Sequence, residues 1–267
     1  MNKKWWFSDY DGTILIDSIK GVTKKDWDFI NKWIKDGNNF VIASGRNRDD
    51  VKSILKEANL NYNYLITNNG AMVHDKNDNI ILHRVIPMDV RKDILKLIEK
   101  WMDKVGIELC FGNESMIVSI LKEKRKDVEP DQLFEKIWTF KPNVNKDFQD
   151  QVLKDLNLDT VKFFSYYEDL EAIENDFKKL NNTRYMQTYY FVLELTNKDT
   201  SKLDGIKQIQ NIYNIDEKDI YTTGDGENDV EMLKGFQNSF AIESGNKKAL
   251  AAGKHIIKAV NELQNYI

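Results

Sequence analysis

Apolar positions along the first 70 residues alternate between two spacings. KWWFSDY (4–10) is a compact apolar run that stops at the turn signal DGT, as a strand does. In TKKDWDFINKWIKDG (23–37), Trp27, Ile30 and Ile34 recur at helical spacing, with Thr23 placed to cap the start and Gly37 just past the end. NFVIASG (39–45) is continuously apolar, the signature of a strand covered on both faces. RDDVKSILKEANL (48–60) returns to helical spacing through Val51, Ile54 and Leu55, and YNYLITNNG (62–70) returns to strand. This order predicts an α/β fold built on a doubly wound parallel sheet.

From about residue 80 the rhythm changes. NIILHRVIP, IELCFGNESMIVSIL, TVKFFSYYE and RYMQTYYFVLELT each read as strand, separated by helical stretches at 88–105, 130–138, 147–156 and 168–180. Several lack the short crossover of a doubly wound sheet, so the region predicts an α+β insertion. The alternation then resumes with a helix at 202–213, the strand DIYTTGDG, a helix from 228, the strand NSFAIES and a final helix. The expected division is a sheet domain of residues 1–84 and 197–267, interrupted by a second domain at 85–196.

Composition adds little to this but excludes much. With 267 residues, 41% hydrophobic and 31% charged, the chain is an ordinary globular one. Its 39 Lys and Arg are spread among 43 acids for a net charge of −4, which is no footprint for nucleic acid or an anionic membrane. Cys110 is the single cysteine, so a disulfide framework is excluded and a reducing, cytoplasmic setting is expected; in IELCF it reads as apolar filler. No run reaches the length of a membrane span, and Asn2, Lys3 and Lys4 lead straight into a core strand rather than a signal peptide.

The chemistry gathers at predicted carboxyl ends of strands, where open α/β sheets bind ligands. Four features fall there: SDYDGT (8–13), ASGR (43–46), Ser201–Lys202 opening a helix, and TGDGEND (223–229). Asp9 and Asp11 lie about 7 Å apart on one face of an extended strand. One of the two would keep a proton unless a cation joins them. Asp9, Asp11, Asp225 and Asp229 are hard oxygen donors that suit Mg²⁺. Ser44 and Gly45 offer a hydroxyl and bare backbone N–H groups to an anion. Lys202 at a helix start, where the dipole disfavours a cation, implies a charged ligand or a buried acid. Each feature alone has an ordinary alternative: DGT and DGEN as surface turns, ASG as a tight turn, the lysine as a solvated side chain, and NNG (68–70) as a hairpin turn. Together, however, they read as a phosphate site with a carboxylate nucleophile, and their order along the chain gives that reading its weight.

DYDGT, a strand ending in SGR, SK before a helix, and GDGEND together resemble the four motifs of the haloacid dehalogenase (HAD) superfamily of phosphohydrolases. The insertion between the second and third motifs, with LTNKDTSK and TGDGENDVEML, is similar to the Cof-type branch with its large α/β cap. The resemblance spans nearly the whole chain. It implies a Rossmann-like HAD core at 1–84 and 197–267 and a substrate-specifying cap at 85–196. Asp9 would be the nucleophile forming an aspartyl-phosphate, and Asp11 the general acid and base. Ser44 would bind the transferring phosphoryl group, with Gly45 beside it, and Lys202 would neutralise that group and orient Asp9. Asp225 would complete a Mg²⁺ shell with Asp9 and the backbone carbonyl of Asp11, while Asp229 holds the metal's waters or the lysine. Asn228 would touch phosphate or Lys202. SKLDG departs from the glycine that family members often carry directly after the lysine.

Asn69 stands where the family often has Asn-Gly, and is either a substrate contact or only a turn residue. Arg46 either reaches substrate or faces solvent at a helix start. His74, His83 and His255 lack metal-ligand spacing. Trp5, Trp6, Trp27 and Trp33 read as packing, and the aromatic runs at 163–167 and 184–190 as core of the insertion or lining of a substrate pocket. The expected function is Mg²⁺-dependent hydrolysis of small phosphorylated metabolites such as sugar phosphates, by a monomer or weak homodimer without nucleic-acid or membrane partners. Alternatives are a phosphotransferase or sugar phosphomutase on the same fold, a trehalose- or sucrose-phosphatase-like enzyme (Tyr10 is also seen in the former), and a non-catalytic phosphometabolite sensor.

Overall fold

A computed structural model describes residues 3–17, 21–120, 148–165, 167–189 and 191–267. The chain divides into two compact units, residues 1–84 with 200–267, and residues 85–199.

The first unit holds an eight-stranded sheet. Its strands are β1 (Trp5–Ser8), β2 (Asn39–Ala43), β3 (Tyr64–Thr67), β4 (Met72–Asp75), β5 (Ile80–His83), β11 (Ile220–Gly224), β12 (Asn238–Ile242) and β13 (His255–Ile257). They lie in the order β13-β12-β11-β1-β2-β3-β4-β5. Neighbours from β13 to β3 run parallel, whereas β4 and β5 fold back antiparallel along the β3 edge. The α/β doubly wound expectation therefore holds, with an antiparallel edge that the apolar spacing did not predict. NNG is open to reading as a hairpin turn and NIILHRVIP as a strand, but AMVHD between them is too short to register as a periodic segment, as is HII (β13) at the other, parallel edge.

The two-residue period of β1 explains its run of three bulky apolar residues. Trp5 and Phe7 enter a cluster on one face with Val41, Ala43, Ile206, Ile209 and Met232. Trp6 enters the opposite cluster with Phe40, Ile42, Phe29, Ile30 and Trp33. Helix α1 (Lys24–Lys35) buries Phe29, Ile30 and Trp33, and Thr23 caps it by accepting the Asp26 N–H. Helix α2 (Arg48–Glu57) buries Val51 and Leu55 on the same side.

The second unit is a five-stranded antiparallel sheet. It comprises β6 (Gly106–Phe111), β7 (Glu114–Ser119), β8 (Leu158–Phe164), β9 (Thr183–Tyr189) and β10 (Val192–Asn197), in the order β7-β6-β8-β10-β9. Two runs read as single strands in the sequence are thus strand pairs: 107–121 gives β6 and β7, and 184–196 gives β9 and β10. Helices α3 (Arg91–Trp101), α4 (Phe148–Lys154) and α5 (Tyr167–Phe177) accompany this sheet, and Ile94, Ile98, Ile107, Leu109, Val161, Phe163, Leu193 and Leu195 form its core. Phe163 of the aromatic run 163–167 is buried there. Arg91 is 1% exposed and donates to the carbonyls of Ile86, Val152, Asp155 and Leu158, so its burial is matched by hydrogen bonds. The expected helix at 130–138 lies outside the described residues.

Returning to the first unit, α6 (Lys202–Tyr213), α7 (Val230–Lys234) and α8 (Lys247–Ala252) complete it. After α8 the chain adds β13 and a 3₁₀ segment, Val260–Tyr266, where the sequence predicts only a final helix. Among the described residues no helix is long and apolar enough to cross a membrane.

Candidate active site

The sheet order reverses at β1, because β2 and β3 lie to one side and β11, β12 and β13 to the other. Such a switch point leaves a crevice at the carboxyl ends of the strands. Asp9 follows β1 directly, and its N–H donates to the Thr223 carbonyl of β11 at 3.0 Å. Asp225 follows β11, so the first and fourth motifs meet at the reversal.

Lys202 is the centre of the charge arrangement. Its Nζ donates to Asp9 Oδ1 at 2.6 Å and to Asp229 Oδ1 at 2.7 Å, with no solvent exposure of the lysine side chain. Burial alone would strip its proton, but the carboxylates of Asp229 and Asp9 outweigh that and raise its pKa. The cation at the start of α6 therefore does meet buried acids. Asp229 is also fully buried; its Oδ2 accepts the N–H groups of Asp225 at 3.0 Å and Gly226 at 2.8 Å. Both of its oxygens are thus engaged.

Asp9, Asp225 and Asp229 each present a carboxylate oxygen, all within 4.8 Å of one another. One lysine balances three acids, and the surplus shows. Burial, with Asp229, Asp225 and Asp11 nearby, pushes Asp9 well above the usual carboxylate range against the pull of Lys202. Burial and then Asp229 raise Asp225 to about 6. An all-oxygen donor set with excess negative charge fits a hard divalent cation such as Mg²⁺. Asp9 and Asp225 are better placed as direct ligands than Asp229, whose oxygens already have partners.

The loop DGT turns tightly under this cluster. Gly12 has φ +84°, and a Cβ there would collide with the Asp225 carboxylate. Thr13 Oγ1 donates to Asp225 Oδ1 at 2.6 Å. Thr13 is a site residue that the sequence reading missed. So is the buried chain beneath Asp9, in which Trp6 Nε1 donates to Thr223 Oγ1 at 2.9 Å, Thr223 to Ser8 Oγ at 2.7 Å, and Ser8 to the Asp9 carbonyl at 2.7 Å. Trp6 is packed as expected, yet its indole N–H also serves this chain.

Asp11 stands apart from the acid cluster. Its carboxylate is clasped by Arg46, with Nε to Oδ2 at 2.7 Å and Nη2 to Oδ1 at 2.8 Å. Arg46 follows Ser44 and Gly45; its own N–H donates to Ser44 Oγ at 3.1 Å, and Ser44 is 1% exposed. Asn228 reaches Asn69, Nδ2 to Oδ1 at 2.9 Å. The structure therefore joins Asp9, Lys202, Asp225 and Asp229 in one cluster, Asp11 with Arg46, and Asn69 with Asn228. His74 and His83 lie on β4 and β5 at the far edge of the sheet order, and His255 on β13 at the other.

A buried lysine shared by carboxylates, at the switch point of an α/β sheet, marks an acid-rich ligand site of an α/β protein. The sequence profile of haloacid dehalogenase-like hydrolases matches residues 6–264, and the chain belongs to that family. A protein of Mycoplasma capricolum named only as uncharacterized is 28% identical over 248 residues, 89% of each chain. Two solved structures share the fold. One, a HAD subclass IIB sugar phosphatase, has a TM-score of 0.77 at 18% identity, covering 99% of this chain and 98% of that one. The other, a phosphatase from Bacteroides thetaiotaomicron, has a TM-score of 0.80 at 22% identity, covering 99% and 92%.

Proposed function

We propose that this hydrolase is a Mg²⁺-dependent phosphomonoesterase acting on small phosphorylated metabolites, of the sugar-phosphate kind, in a reducing cytoplasm. The observation that carries this reading is the buried Lys202 held between Asp9 and Asp229 beside a surplus of carboxylate. Asp9 attacks phosphorus while the bond to the leaving alcohol breaks, and Asp11 gives that alcohol its proton. Asp11 then takes a proton from water, which attacks the aspartyl-phosphate and returns Asp9 and inorganic phosphate. Ser44 and the Gly45 N–H bind the phosphoryl oxygens, Lys202 offsets their charge, and Asn228 flanks them. Asp9, Asp225 and the backbone carbonyl of Asp11 would hold Mg²⁺, with Asp229 fixing the lysine; the ion would supply positive charge to the phosphoryl oxygens. Choice of alcohol is assigned to residues 85–199.

The test is hydrolysis of p-nitrophenyl phosphate. Turnover is expected to need Mg²⁺, to stop with EDTA and to vanish in Asp9→Asn. Unimpaired turnover in that variant would remove Asp9 from the nucleophile role. Wild-type turnover in EDTA would remove the metal.

A further inference from the structure

The reversal between β3 and β4 is built from Asn68, Asn69 and Gly70, three consecutive residues with φ of +49°, +52° and +103°. Left-handed backbone is disfavoured for residues with a side chain, and a hairpin needs at most two such positions. Strain of this kind is kept where surrounding contacts enforce it.

Those contacts lead to the phosphate-site segments. The Asn68 N–H donates to the Arg46 carbonyl at 2.9 Å and the Asn69 N–H to the Ser44 carbonyl at 3.0 Å. Asn69 Oδ1 accepts from Asn228 at 2.9 Å. A Cβ on Gly45 would lie 3.0 Å from Asn69 Nδ2, so the amide rests against the Gly45 backbone. A Cβ on Gly70 would collide with the Ser201 carbonyl, immediately before Lys202. Asn69 is completely buried. One side chain therefore sits between the Ser44–Gly45 loop and Asn228, on a turn pressed against the start of α6.

We propose that Asn69 is a positioning residue for phosphoryl binding. It holds the Asn228 amide at a fixed distance from the Ser44 and Gly45 donors, so that the donors are set before an anion arrives. The inference rests on the phosphatase reading and adds a residue that acts through another. The competing explanation, that Asn69 serves only the left-handed turn, is separable because glycine supplies the same φ without the amide.

The experiment compares wild type, Asn69→Gly, Asn228→Ala and the double variant, by kcat and KM for p-nitrophenyl phosphate with Mg²⁺, affinity for inorganic phosphate, and Tm. Asn69→Gly is expected to keep the wild-type Tm to within a few degrees while kcat/KM falls roughly ten- to a hundred-fold and phosphate binds more weakly. The double variant is expected to lose no more than Asn228→Ala alone, because the two residues act as one unit. Wild-type kcat/KM and phosphate affinity in Asn69→Gly would reduce Asn69 to a turn residue. Losses that multiply would make it an independent contact and overturn the coupling. A wild type that binds phosphate without hydrolysing the ester overturns the phosphatase reading alone, and the phosphate affinities of the four proteins then decide the coupling. A wild type that does not bind phosphate overturns both.

Discussion

At the scale of single residues, Lys202 decides the electrostatics of the site. It is the cation that lets Asp9 and Asp229 be buried together, and breaking a buried pair by removing one partner costs about 3–5 kcal/mol. Lys202→Met should therefore unfold at a lower temperature and lose phosphatase turnover by more than about a hundred-fold. The carboxylates left behind can neutralise themselves by taking up protons. The Tm deficit of Lys202→Met should accordingly be smaller at pH 5 than at pH 8, and adding Asp229→Asn should recover part of the Tm and none of the turnover. A deficit independent of pH would mean that lost packing, not uncompensated charge, is what the lysine prevents. Lys202, Asp9, Asp225 and Asp229 stood out in the sequence because charged residues beside glycines at strand ends are hard to explain as packing. Thr13, Ser8 and Thr223 did not. A small hydroxyl residue in or after a strand looks the same whether or not a partner 212 or 215 positions away completes its bond.

At the scale of elements, the loop after β1 shows how a turn sets a carboxylate. Tyr10 to Leu15 fold back on themselves, with the Tyr10 carbonyl accepting from Ile14 and Leu15 and the Gly12 N–H donating to the Leu15 carbonyl. Gly12 is needed twice over, for its φ of +84° and for the close approach of Asp225. Gly12→Ala should lower stability by about 1 kcal/mol or more and displace Asp225, so that a higher Mg²⁺ concentration is required for half-maximal turnover. Gly37 gives the control. Its φ of +87° is similar, but a Cβ there meets nothing within 4 Å, so Gly37→Ala should lower Tm while leaving the Mg²⁺ requirement unchanged. An equal Mg²⁺ shift in both variants would show that strain, not the Asp225 contact, is responsible. The longer helices and the parallel strands other than β13 were legible because their spacing is regular and their ends are marked, as with Thr23 before α1 and Ser201 before α6. β4 was not, although NNG is open to reading as a hairpin turn: the strand is only four residues long and pairs with β3 across the four residues 68–71, too short a run to show a period.

At the scale of the whole molecule, the first unit exists only when both ends of the chain are joined: β1 pairs with β2 from the early segment and β11 from the late one, and Asp26 of α1 accepts two hydrogen bonds from Asn261. Its stability should carry two opposing pH dependences. Asp225 has its pKa raised to about 6. Its contribution is present below the ordinary carboxylate value and is lost as pH rises through 6, because the folded state holds the extra proton. His74 is completely buried, and neither ring nitrogen has a hydrogen-bond partner among the described residues. Burial first, then Arg48, with His83 and Lys52 also opposing protonation and Asp78 favouring it, brings its pKa down to about 4. Its contribution is present above the ordinary imidazole value and is lost as pH falls from about 6.5 toward 4. The two are separable by variant and by ligand. His74→Met should raise Tm more at pH 5 than at pH 7.5, since it removes the group whose protonation the fold resists along with two unsatisfied nitrogens. Mg²⁺ should act in the reverse sense, raising Tm more at pH 7.5 than at pH 5, because the ion and the proton compete for the same carboxylates. Both measurements are melting curves at two pH values, of wild type against His74→Met for the first and of wild type with and without Mg²⁺ for the second. A Mg²⁺ effect that did not grow with pH would place the ion elsewhere than at Asp9 and Asp225, whatever the effect on turnover.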